Sequence, residues 1–155
     1  MAPADPLRLQ VMNRVKTVLQ AIQSGSEYFY TPHEVILGRK NPEKLTGCPT
    51  YMIWPEKGSV RSNEIGHVHH ETLPIIIWGK TKSNDDLLTT NERAVRDVRK
   101  AISEDMKLKT AGTLGALAYQ METKESPITD YDYEHKEAYF LLRIEFTFSG
   151  DFGVL

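Results

Sequence analysis

The chain has 155 residues, 40% of them hydrophobic and 26% charged, with a net charge of −2 at pH 7. That is the composition of a folded globular domain, able to bury about two-thirds of its unfolded surface, and it excludes a disordered chain. It also excludes a general nucleic-acid binder, which would carry a basic footprint, and the single cysteine, Cys48, excludes an intrachain disulfide and suits a reducing compartment.

The opening "MAPADPLRLQ" lacks a basic stretch followed by an apolar core, so no signal peptide is expected. The longest apolar run, Leu73 and Pro74 followed by Ile75, Ile76, Ile77 and Trp78, falls far short of the roughly 20 residues that span a bilayer. Charge is unevenly distributed. Residues 1–61 hold eight Lys/Arg against five Asp/Glu, or +3, and residues 62–155 hold eleven against sixteen, or −5. Such an imbalance suits head-to-tail contact between copies.

Residues 6–23 place Val11, Val15, Val18 and Ile22 at helical spacing, with Met12 and Leu19 beside them. Asp5 is the expected N-cap, Pro6 the first-turn residue, and Gly25 the terminator. Two short strands are expected near residues 35–37 and 50–54, where β-branched and aromatic residues stand between Pro and Gly. "GRKNPEKLTGC" between them and "PEKGSVRSNEIG" after them read as loops.

A strand is expected over residues 67–80. Its alternation sends His67, His69, Glu71, Leu73, Ile75 and Ile77 to one face, and Val68, His70, Thr72, Pro74, Ile76 and Trp78 to the other. The half from Ile75 to Trp78 is apolar on both faces and must be covered on both. Pro74 cannot donate to a ladder, which predicts a bulge or an edge.

"SNDDLLTTNERAVRDVRKAISEDM" predicts a second helix capped by Asn91, with a buried stripe of Leu88, Val95, Val98 and Ile102 plus Ala94 and Ala101. Its outer face offers the i,i+4 pairs Glu92 with Arg96, Arg93 with Asp97 and Lys100 with Glu104. "ALAYQMET" reads as a strand with Leu117, Tyr119 and Met121 inward. "KEAYFLLRIEFTFSG" is the clearest strand, with Phe140, Leu142, Ile144, Phe146 and Phe148 on one face. The expected fold is a single α+β domain over residues 1–155, with two helices packed on a mostly antiparallel sheet in the order α-β-β-β-α-β-β.

Three histidines and a glutamate in "HVHHE" invite a metal reading, with His67, His69 and Glu71 on one strand face. Same-face side chains stand about 6.5–7 Å apart along a strand, so three in a row do not readily converge on one ion. A polar strand end, at a subunit contact, is the favoured alternative. A small metal-dependent enzyme built on His67, His69 and Glu71 stays as the rival. "GDFG" at residues 150–153 has no glycine-rich or catalytic loop before it, and no phosphate-binding glycine motif occurs. Cys48 has no nucleophile motif around it. No catalytic residue, cofactor or metal is therefore expected.

The segment "TKESPITDYDYEHK" reads as a polar arm in which Asp130, Asp132 and Glu134 interleave with Tyr131 and Tyr133. Tyrosines favour protein interfaces, and the carboxylates disfavour nucleic acid. The arm is expected either to contact protein or to be a hairpin with no role.

The succession "PLRLQVMNRVKTVLQAIQSG", "EYFYTPHEV", "PTYMIWPEKG", "HVHHETLPIIIWGKT", "NERAVRDVRKAISEDM" and "EAYFLLRIEFTFSG" resembles the tail terminator, or tail completion, proteins of long-tailed bacteriophages. The resemblance spans nearly the whole chain and rests on element order and texture. It implies a non-enzymatic virion protein. Such a protein forms a ring of about six copies on the last ring of the tail tube, stops tube growth and presents a docking face to the head connector. The implied partners are other copies of itself, the tail tube protein and the head–tail connector, with DNA only as passing cargo and no membrane. The implied location is the head-proximal end of the tail. A related head-tail joining or tail-tube component is the nearest alternative. Candidate contact residues are Arg93, Arg96 and Asp97 on the second helix, His67 and His69 on the strand, and the arm.

Overall fold

In this computed structural model, which describes residues 2–62, 68–150 and 155, the elements follow one another as α1 (Leu7–Gln20), β1 (Glu34–Leu37), β2 (Thr50–Pro55), β3 (Ser59–Ser62), β4 (His69–Lys82), α2 (Leu87–Lys107), α3 (Leu114–Leu117), β5 (Gln120–Glu122), β6 (Ile128–Asp132) and β7 (Glu137–Gly150). The α+β class and the mostly antiparallel sheet are as expected. Two strands and a short helix come in addition.

The strongest alternating patterns make the centre of the sheet. β4 and β7 pair antiparallel along their full lengths, with Ile75 opposite Ile144 and Ile77 opposite Leu142. β2 extends the sheet beyond β4, and β1 adds to β2 in the one parallel pairing among the described strands. β3 continues along β4 beyond β2, while β5 and β6 share the outer side of β7. "GSVRS" was expected to be loop. It becomes β3 because β4 offers unpaired backbone there, and pairing replaces water as the partner of its amides.

Pro74 sits neither at an edge nor in a bulge. It faces Glu145 inside the central pair, and its carbonyl accepts the Glu56 N–H at 2.8 Å. In a strand, N–H and C=O of one residue point the same way. The missing Pro74 donor therefore falls in the gap between the end of β2 and the start of β3, where no ladder bond is lost.

One face of the sheet carries Tyr51, Ile53, Leu73, Ile75, Ile77, Phe140, Leu142, Ile144, Phe146 and Phe148, and α1 and α2 lie over it. α1 contributes Val11, Val15 and Leu19, with Ile22 following the helix. Its N-cap is Pro6, not Asp5, and the first intrahelical bond runs from Gln10 N–H to the Pro6 carbonyl. α2 starts earlier than its apolar stripe suggested. Asp86 caps it by accepting the Thr89 N–H, Leu87 rather than Leu88 is buried, and Leu88 is 55% exposed. Asn91 is instead drawn inside, where its Oδ1 accepts the Thr81 hydroxyl at 2.9 Å.

The opposite face has a lighter cover. Ile36, Leu45 and Met52 form a second, smaller cluster with Trp54 and Trp78 against it. Residues 38–49 provide that cover, and Lys80 holds them down: its buried Nζ donates to the Leu45 carbonyl at 3.0 Å and pairs with Glu137 at 3.4 Å. "ALAYQMET" splits into α3 and β5. Leu117 and Met121 pack against the core as expected, whereas Tyr119 is half exposed.

Candidate functional site: a protein-contact surface

The histidine-rich start of β4 is not uniformly wet. By alternation His69, Glu71 and Leu73 share the helix-covered face. Glu71 is buried there, and Arg8 of α1 reaches it, Nε to Oε1 at 3.1 Å. Burial pushes the Glu71 carboxyl above its ordinary range, and the Arg8 charge pulls it part of the way back. His70, on the other face, places Nδ1 2.9 Å from the Tyr119 hydroxyl, with the two rings edge to face. His69 is half-buried and stands opposite Gly150 in the ladder. His67 lies outside the described residues.

No three His, Cys, Asp or Glu side chains among the described residues come together as a metal site would require. Glu71, the carboxylate the metal reading needs, is committed to Arg8. His135 pairs with Asp132, Nδ1 to Oδ2 at 2.7 Å, and so does not lie near β4's start.

The polar arm is a strand. Residues 128–132 form β6, and a four-residue turn ending in left-handed Lys136 (φ 56°) returns the chain to β7. Pairing sorts its side chains. Asp130 stands beside Tyr139 and Asp132 beside Glu137 on the lightly covered face, while Tyr131 stands beside Ala138 on the helix face. Tyr131 and Tyr133 stack with centroids 6.0 Å apart, and Tyr133, 72% exposed, borders Leu87 at the start of α2. The tyrosines and the carboxylates of the arm thus address opposite sides of the sheet. Glu134 is exposed in the turn.

Of the α2 candidates, Asp97 is a correction. It is 0% exposed, and its carboxylate accepts the backbone N–H groups of Phe29 and Tyr30 at 2.9 and 3.0 Å. Its place on an apparently charged stripe hid this role, because the helix turns it toward residues 28–30. It offers nothing to a neighbouring chain. Arg93 and Arg96 are exposed and flank the Phe29 ring, with guanidinium carbons 4.8 and 5.5 Å from its centroid. Arg96 also donates to the Glu27 carbonyl. Phe29 stays 45% exposed, an aromatic knob between two cations.

The lightly covered face carries a hollow. Beyond the 38–49 cover, Trp78 stacks on Tyr139 at 5.4 Å and the surface opens into a groove of about 360 Å³ lined by Pro42, Trp78, Ile128, Tyr139 and Leu141, with Asp130 at its rim. Ile128 is 62% exposed. At the far end of this face the surface turns ionic, with Arg143 bound to Glu56 at 3.0 Å and Glu145 at 2.7 Å. Sequence reasoning reached Ile128 only as the first residue of the arm, and did not single out Phe29 or Leu141 as contacts. The signal was present in β7, where Tyr139 and Leu141 make the outward positions as apolar as the inward ones.

Among the described residues no helix is long and apolar enough to cross a membrane. No protein-family model matches the chain, and no curated protein shows a significant match to it. The site is therefore defined by its own geometry: an aromatic knob with a basic rim on the helix layer, and an apolar groove with an acidic rim on the other side of the sheet.

Proposed function

We propose that this protein is a structural subunit of a phage tail, forming a ring of about six copies that caps the tail tube, ends its polymerisation and presents a docking face to the head connector. The observation that carries the reading is the inequality of the two sheet faces. α1 and α2 bury one face, while the other leaves Trp78, Tyr139, Leu141 and Ile128 in an open apolar groove. An assembly subunit has a use for such a surface, since contiguous exposed apolar patches mark contacts with other chains. The element order of the sequence supports the same reading. The partners it entails are further copies of the chain, the tail tube protein and the connector, with DNA passing through the lumen.

The test is electron microscopy of the purified protein, alone and with assembled tail tubes, alongside its mass in solution. Rings, or a cap at one end of each tube, are expected. A protein that stays monomeric at high concentration and leaves tubes uncapped would overturn the reading.

A further inference from the structure

We infer that the ring contact is made by Phe29 of one copy entering the Trp78–Tyr139 groove of the next, with Arg93 and Arg96 meeting Asp130 at the rim. This rests on the assembly reading above and adds the two surfaces that would build it.

Four observations carry it. The first is shape. The groove is lined by Trp78, Tyr139, Leu141 and Ile128 and its volume of about 360 Å³ exceeds that of one aromatic side chain, and Phe29 is a large, 45% exposed ring on the loop between α1 and β1. The second is rigidity. Asp97 fixes the backbone of Phe29 and Tyr30, so the knob is ordered before docking and little freedom is lost on contact. The third is charge. Two guanidinium groups border the knob and the Asp130 carboxylate borders the groove, so the correct pairing is attractive and knob-to-knob contact is repulsive.

The fourth observation is placement. Phe29, on the loop between α1 and β1, packs against α2 over one face of the sheet, and the groove lies on the other face. One chain can therefore use both surfaces at once. Contacts between unlike patches are head to tail, and they close into a ring when the rotation permits. The same arrangement accounts for the exposure of Ile128 on an edge strand, where it would fill the groove wall.

The experiment uses exposed positions whose replacement spares the core: Phe29→Ala and Arg93→Glu on the knob, Ile128→Asp and Asp130→Arg at the groove. Circular dichroism and thermal melting first establish that each variant is folded. Sedimentation is then expected to show self-association weakened about tenfold or more in each, as hot-spot truncation does. Mixing Phe29→Ala with Asp130→Arg gives the decisive readout, because the two altered surfaces do not complement each other. The first chain keeps a native groove and the second a native knob, so the mixture should form a one-to-one dimer that grows no further.

Wild-type rings that persist in all four variants would overturn these surfaces while leaving the assembly reading standing. A wild type that is monomeric with and without tail tubes would overturn both. A monomer that binds tail tube protein, and loses that binding on Ile128→Asp, would assign the groove to that partner and overturn self-docking.

Discussion

The Asp97 carboxylate, buried on the inner side of α2, grips the backbone N–H of Phe29 through both oxygens at 2.9 and 3.1 Å. A buried charge is tolerated only when hydrogen bonds replace its water, and here the donors are the Phe29 and Tyr30 amides with Arg96 at 3.4 Å. The bond reaches across 68 positions of sequence and sets the attitude of the loop between α1 and β1.

Removing that grip should cost more than an average contact. Asp97→Ala leaves two amides without an acceptor and is expected to lower stability by about 2–4 kcal/mol, read from the urea midpoint. Asp97→Asn keeps one acceptor and should lose about half as much. In both variants hydrogen exchange at Phe29 and Tyr30 should speed up, while exchange in β4 and β7 keeps its ranking. Unchanged exchange at residues 29 and 30 would refute the assigned role.

Gly79 is a packing requirement of the central pair. A methyl group there would sit 2.2 Å from the Phe140 ring, and Phe140 is fully buried against Tyr51. Gly79→Ala is expected to cost about 1–3 kcal/mol through overpacking. The cost should fall when Phe140→Leu is present, because the smaller side chain yields the space. A double-mutant cycle measures that coupling, and additivity of the two changes would refute the contact.

How much of this was legible in the sequence depended on how each segment is held. α1, α2 and β7 bury long stripes, so their periodicity announces them: Val11, Val15 and Leu19, or Phe140 through Phe148. β3 and β6 have no stripe of their own. They are strands because β4 and β7 have unpaired sides beside them, and pairing is a long-range fact that "SVRS" and "ITDYD" do not encode. The same limit affected the site. Glu71 looked solvated because the residues around it are polar, yet Arg8, which buries it, arrives from α1. Asp97 looked like a surface charge, yet its partners lie on another loop.

Asp105 joins α1, α2 and α3. Its carboxylate takes Arg14 Nε and Nη2 at 2.9 and 2.6 Å and the Leu114 N–H at 2.8 Å. Burial opposes its charge, but the Arg14 and Leu114 hydrogen bonds outweigh burial and hold its pKa below the ordinary carboxylate value. A depressed carboxylate contributes stability above its unfolded pKa of about 3.9, and that contribution fades as pH falls through the lower folded value. Asp105→Asn is therefore expected to lose about 2–3 kcal/mol at pH 6. The gap to wild type should narrow below about pH 4 in acid titrations of stability. A gap that stays constant down to pH 2 would remove the electrostatic part of the account.

Glu71 should behave in the opposite sense. Burial raises its pKa despite the Arg8 charge, so the folded chain holds the proton more tightly than the unfolded one. The contribution of this group is then greatest below the unfolded pKa, and it is lost as pH rises through the raised folded value. Glu71→Gln keeps the shape and removes the ionisation, so the variant is expected to be more stable than wild type at pH 7 and level with it near pH 4. Arg8→Ala should destabilise the wild type by about 1 kcal/mol at pH 7, because it leaves the carboxylate without its counter-charge, and should have little effect in the Glu71→Gln background. Thermal melts of the four proteins at the two pH values give the full cycle. A Glu71→Gln chain that melts below wild type at pH 7 would mean that the Arg8 pair stabilises more than burial costs, and the sign assigned to this group would have to be reversed.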